Sequence, residues 1–163
     1  MLASHYYLAR MLLHRPALVF ATLFDSKSQA EESAQGMMHA QESIEASISS
    51  AKSVVNLTHD AYFDRCPEVK FDGSLASFLV SACVTLLYDV LDPKITHDYA
   101  RTTFAVVERG IKCLDQIQHV GPTSGKAVSI DVMKVAKDAL RSARTDSQLL
   151  DENLVDFFPW LQL

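Results

Sequence analysis

Residues 73–88, GSLASFLVSACVTLLY, carry no charged side chain. The stretch is shorter than the roughly 18–20 residues that cross a bilayer, and Asp72 and Asp89 close it on either side. Its Ser, Thr and Cys content suits close packing against protein. A helix that is apolar on every side has to be enclosed by other elements. The stretch therefore predicts a buried central helix at about residues 74–91, within a chain that supplies the partners to surround it.

The rest of the sequence offers helices for that purpose. Residues 2–14 read as an amphipathic helix with Leu2, Tyr6, Ala9, Leu12 and Leu13 near one stripe. Pro16 has no backbone N–H and clashes with the carbonyl four residues back, so the helix is expected to stop at about His14. Pro16 then suits the first position of a short second helix over 16–24. His14 and Arg15 fall at the negative end of the first helix, where positive charge is favoured. Ser26 and Gln29 are spaced as a capping box for a long helix over 28–58. Its apolar or small residues recur at Ala30, Ala34, Met37, Ile44, Ile48, Ala51 and Val55, with Tyr62 beyond. Glu31, Glu32, Gln35, Glu42, Glu45 and Ser49 form the opposite face. This spacing fits a coiled coil or one face of a bundle, and the alanine content favours the bundle.

Residues 64–73, DRCPEVKFDG, read as a loop broken by Pro67 and Gly73. Asp92 and Pro93 are placed as N-cap and first residue of a further helix. That helix is expected to run to about His119 through Tyr99, Phe104, Val107, Ile111, Leu114 and Ile117. Gly121 then serves as its cap, with Pro122 beyond. A last helix is predicted over 126–144. No segment alternates as a strand does, and glycine and proline number only five each. The expected fold class is all-α, a single bundle of about six helices. A chain of 163 residues suits one domain. The helical domain is placed at 1–147 and an acidic, aromatic tail at 148–163.

Several function classes lose support at this level. The formal net charge is −5 and no run of Lys or Arg occurs, whereas phosphate contacts dominate nucleic-acid affinity. Direct DNA or RNA binding by this chain is not expected. Cys66, Cys83 and Cys113 lie far apart, with no C-x-x-C, and read as thiols in a reducing compartment. No signal peptide is evident at the N-terminus. The six histidines are scattered, without H-E-x-x-H or any pair at metal-ligand spacing. The segment SGKAVS near residue 125 lacks the first glycine of a phosphate loop, because residue 120 is Val. SSAK at 49–52 matches S-x-x-K without the companion motifs, and G-x-S-x-G is absent. The reading is a chain without catalytic, cofactor or metal residues.

YYLARMLLHRPAL, residues 6–18, resembles a motif of the fungal-specific transcription factor domain. That domain, also called the middle homology region, belongs to the zinc-cluster transcription factors. In that family an apolar helix with an early Tyr or His runs into Leu-His-Arg-Pro and then an apolar pair. Leu13, His14, Arg15 and Pro16 match all four positions, with Leu18 and Val19 behind. The small-residue helix at 30–55, the uncharged helix at 74–91, the proline-started helix at 93–119 and a final helix follow in the family's order. The resemblance covers most of this chain but only the C-terminal part of the family's domain. The six-cysteine, two-zinc DNA-binding module and the first half of the homology domain have no counterpart here, so a fragment, an excised domain or a truncated gene product is expected. Zinc is expected only in that absent module.

The resemblance implies a nuclear regulatory domain that controls transcriptional activation, with a small-molecule effector in some relatives. The alternative is a helical binding or assembly module unrelated to transcription. Expected partners are the remainder of the parent factor, a coactivator or a second copy. Arg15 is expected to fix a corner by bonding helix carbonyls or a buried Asp. A ligand pocket is placed beside the apolar helix at Phe78, Cys83, Leu86 and Phe104, positions that equally suit plain core. In the tail, Leu154, Phe157, Phe158, Trp160 and Leu161 suit either an activation motif or aromatics folded back on the bundle. The absent half-domain also implies an exposed apolar face that drives self-association.

Overall fold

The computed structural model describes residues 2–21, 40–61, 65–90, 92, 95–117, 131 and 134. Its elements are α1 (Leu2–Ala21), α2 (Ala40–Asp60), a short 3-10 helix (Pro67–Phe71), α3 (Ser74–Val90) and α4 (His97–Gln116). Among the described residues there is no strand, so the class is all-α. The long helix expected from residue 28 is described from Ala40, and the capping box at Ser26 and Gln29 lies outside the described residues. So do the expected helix at 126–144, apart from Asp131 and Lys134, and the domain boundary at 147.

The uncharged run is the centre of the molecule. Leu75, Leu79, Ala82, Cys83, Leu86 and Leu87 on α3 are all buried, in one continuous core with residues of α1, α2 and α4. Asp72 starts this helix. Its Oδ1 accepts from the Ser74 N–H at 2.9 Å and from the Ser74 hydroxyl at 2.6 Å. Those bonds lower the Asp72 pKa, because they favour the charged carboxylate.

α1 runs unbroken through Pro16, which corrects the expected stop at His14 and the separate helix at 16–24. A mid-helix proline costs about 3 kcal/mol by losing a bond to the carbonyl four residues back. Here that carbonyl belongs to Leu12, an exposed residue, so water can satisfy it. Beyond the proline, Leu18 and Ala21 are buried in the same core as Met11. Burying a side chain such as Leu18 is worth about 1.5–3 kcal/mol, and tertiary packing thereby offsets the local penalty.

The face of α1 that packs inward is also not the expected one. Ser4, Met11 and Leu18 are buried, each seven residues from the next. The predicted stripe points outward instead: Leu2 is 87% exposed, Tyr6 60%, Leu12 46% and Leu13 75%. α1 is apolar on both sides, so periodicity alone could not choose between them.

α1 lies antiparallel on α2 along a ladder of serines. Arg10 Nη1 donates to Ser50 Oγ at 3.3 Å, Ser47 Oγ donates to the Met11 carbonyl at 3.3 Å, and His14 Nδ1 lies 3.2 Å from Ser43 Oγ. Ser43, Ser47 and Ser50 sit one above another on α2, and their small side chains let α1 approach. On the rest of that helix the expected pattern holds. Ile44, Ile48, Ala51 and Val55 are buried, while Glu42, Glu45 and Ser49 are exposed.

α4 begins four residues later than expected. The Asp92 carbonyl accepts from the Ile95 N–H at 3.2 Å, which makes Asp92 the opening of a turn, a position Asp favours when Pro follows. Thr96 is the N-cap, its hydroxyl accepting from the Tyr99 N–H at 3.3 Å. The helix ends at Gln116, and the Gly121 cap lies outside the described residues. α2, α3 and α4 meet at Gly110. A methyl group there would lie 2.6 Å from Cys83 Sγ and 3.6 Å from a Val55 methyl. The absence of a side chain is what permits this approach.

Candidate functional site

The four motif residues on α1 divide between two faces. Leu13 and Pro16 are exposed. His14 and Arg15 are half-buried and face the bundle, His14 against Ser43 of α2 and Arg15 with its guanidinium 5.8 Å from the centre of the Tyr88 ring on α3. The Arg15 contact is thus with an aromatic face, where a helix carbonyl or a buried Asp had been expected. The motif ties α1 to both α2 and α3, and that role is structural.

A buried Asp does exist nearby in sequence, on α3, and Tyr99 of α4 serves it. Asp89 is fully buried and accepts from the Tyr99 hydroxyl at 2.6 Å. Lys52 of α2 donates to the same hydroxyl oxygen at 3.4 Å, and its ammonium sits 4.5 Å from the centre of the Tyr99 ring. Ammonium, phenol and carboxylate form a directional chain joining three helices. Burial and the Asp89 carboxylate together push the Tyr99 hydroxyl above its ordinary value of 10.0, so it remains a proton donor.

A groove of about 370 Å³ opens beside this chain between α2 and α4. Glu45, Ser49, Lys52, Ser53, Asn56 and Tyr99 line it with Ile48. Asn56 Oδ1 is buried there without a hydrogen-bond partner. The sequence signal for this group was Asp89 itself. A carboxylate that ends an all-apolar helix must either reach water or meet a donor, and Tyr99 is ten residues on across a turn. Reading Asp89 as the rim of the apolar run concealed it.

The positions assigned to a ligand pocket are core. Phe78, Cys83 and Leu86 on α3 and Phe104 on α4 belong to the continuous apolar cluster, and the Cys83 thiol leans on the Val107 carbonyl at 3.9 Å. Burial pushes the Cys83 thiol up to about 12 and the Cys113 thiol to about 11, so neither is a thiolate near neutrality. Cys66 is exposed. The tail residues Leu154, Phe157, Phe158, Trp160 and Leu161 lie outside the described residues. Among the described residues no three His, Cys, Asp or Glu side chains gather to hold a metal, and no helix is long and apolar enough to cross a membrane. No protein-family model matches the chain, and neither a curated protein nor a solved structure matches it.

Proposed function

We propose that this chain is a regulatory and interaction domain of a fungal zinc-cluster transcription factor, acting through protein contacts and not by holding DNA itself. The reading includes a nuclear location, a bundle of about six helices, and partners drawn from the parent factor, a coactivator or a second copy. The observation that carries the interaction half is the outward apolar stripe of α1, which leaves large side chains in water on a helix already packed on its other side. The transcriptional half rests on Leu13-His14-Arg15-Pro16, of which His14 and Arg15 anchor the helix and Leu13 belongs to the stripe. A small-molecule effector would enter at the groove beside Lys52 and Tyr99, since the positions around Cys83 are filled by packed side chains.

Two experiments test the transcriptional half. The coding sequence upstream of Met1 should specify a six-cysteine module and a basic segment, and a gene that lacks them removes it. Residues 148–163 fused to a heterologous DNA-binding module should drive a reporter, and silence there ends the activation role of the tail. The second reading, an assembly module unrelated to transcription, draws on the same stripe and predicts neither result.

A further inference from the structure

The groove between α2 and α4 is lined in a definite order. Glu45, Ser49, Lys52 and Asn56 follow one another on α2 at steps of four, three and four, so they stand in one row along it. Ile48 and Tyr99 supply apolar surface beside the row. Hydrogen-bond donors gather at one end. Lys52 spends one of its three N–H groups on the Tyr99 hydroxyl, at a long 3.4 Å, while that hydroxyl donates its own hydrogen to Asp89. Among the described residues no carboxylate forms an ion pair with the Lys52 ammonium. Two N–H groups therefore remain for the groove. Asn56 has its Oδ1 buried without a donor, so Nδ2, on the other edge of the planar amide, is the side that meets the groove. The hydroxyl of exposed Ser49 is a third donor, one turn away. Ser53 adds none, because its hydroxyl is bonded to the Ser49 carbonyl at 2.9 Å. Glu45 closes the far end with a carboxylate that accepts from Gln41 at 2.7 Å.

We propose that this groove binds a small monocarboxylic acid. Lys52, Asn56 Nδ2 and the Ser49 hydroxyl hold the carboxylate, and the apolar body of the acid lies against Ile48 and Tyr99. Three donors, one of them charged, suit the two oxygens of a carboxylate. A phosphate dianion would call for a second positive charge, and the row supplies Glu45 instead. The same Glu45 repels a second carboxylate at the far end of the ligand, which restricts the site to monoanions. The volume of about 370 Å³ lies at the small end of ligand sites and calls for a compact body. This proposal rests on the effector clause of the reading above and is independent of its transcriptional half.

Proton–nitrogen NMR titration of the full chain with benzoate, at constant ionic strength, provides the test. Benzyl alcohol and inorganic phosphate serve as the matched probes. The expected result is saturable shifts at the amides around Ser49, Lys52, Asn56 and Tyr99, with a dissociation constant of about 1 mM for so small a ligand. Lys52→Met, which keeps the aliphatic stem, should weaken binding at least tenfold. Ser49→Asp, at an exposed position that leaves the Lys52–Tyr99 contact in place, should do the same by repelling the carboxylate. Lys112→Met, at an exposed lysine paired with Glu108 on α4, should change nothing. An absence of shifts around the groove up to about 20 mM benzoate overturns the proposal. So does binding that neither Lys52→Met nor Ser49→Asp weakens, and so does phosphate binding as tightly as benzoate. Benzyl alcohol binding as tightly also overturns the carboxylate, yet keeps the groove as the entry for an uncharged effector, which separates this failure from that of the effector clause. Benzoate binding by a chain whose gene lacks the six-cysteine module upholds the proposal and removes only the transcriptional half.

Discussion

Gly110→Ala measures how closely α4 approaches α3 and α2. In an isolated helix the change gains about 1 kcal/mol, because alanine is the better helix former. Here the new methyl group would lie 2.6 Å from Cys83 Sγ, well inside contact distance. Cys83 is fully buried, and overpacking of this kind costs about 1–3 kcal/mol. The net expectation is a loss of about 1–2 kcal/mol, the clash outweighing the propensity gain. Cys83→Ala removes the offending sulfur and leaves Val55 methyls at 3.6 and 3.7 Å, which is ordinary contact. In that background Gly110→Ala should therefore stabilise by about 1 kcal/mol, giving a coupling of about 2–3 kcal/mol between the two sites. Urea denaturation of the four chains, followed by circular dichroism, reads all the terms of this cycle. A Gly110→Ala chain more stable than its parent, or an effect that ignores residue 83, would refute the packing of α4 against α3 at this point.

The remaining expectations address single contacts. Tyr99→Phe removes the hydroxyl that donates to the buried Asp89 at 2.6 Å and should cost about 1.5–3 kcal/mol in urea denaturation; a neutral result would mean that Asp89 does not depend on this bond. Pro16→Ala restores the bond to the Leu12 carbonyl inside a continuous α1 and should stabilise the chain by about 1–3 kcal/mol, whereas a loss would place a helix start at Pro16. Stability should also fall as pH rises above 9. The Cys83 and Cys113 thiols ionise near their ordinary value of 9.0 when unfolded, but only at about 12 and 11 when folded. The unfolded chain thus releases protons first, and each thiol removes up to about 1.4 kcal/mol per pH unit between 9 and its folded value. Denaturation at pH 8 and pH 10 should show the loss, and Cys83→Ala together with Cys113→Ala should flatten it; an unchanged slope would place both thiols in water.

What the sequence disclosed and what it concealed divide along physical lines. α3 could be read almost to the residue, because an uncharged run between two Asp residues leaves no choice of face. α2 was legible for a similar reason: Ile44, Ile48, Ala51 and Val55 oppose Glu42, Glu45 and Ser49, so only one orientation buries the apolar side. α1 was not legible, since apolar residues occupy both its sides. Its inner face is decided by serines 29–40 residues away, which reach Arg10, Met11 and His14. Pro16 misled for the same reason, because its local penalty is visible in the sequence while the compensating burial of Leu18 is tertiary. The start of α4 was misplaced because Asp-Pro suits both a helix start and a turn, and Thr96 competes with Asp92 as the cap. The Lys52–Tyr99–Asp89 chain joins three helices, and no local pattern encodes such a meeting.

The account turns on α1 being one two-faced helix with Met11 and Leu18 inward. Single cysteines at 9, 11, 13 and 18 in a Cys66→Ser background, labelled with a thiol reagent at low micromolar chain concentration, test this most directly. Positions 9 and 13 should react like a free thiol, and positions 11 and 18 should be slower by about a hundredfold or more, opening only with the bundle. Protection at 9 and 13 together with fast labelling at 11 and 18 would put the Leu2–Tyr6–Leu13 side inward and contradict the account.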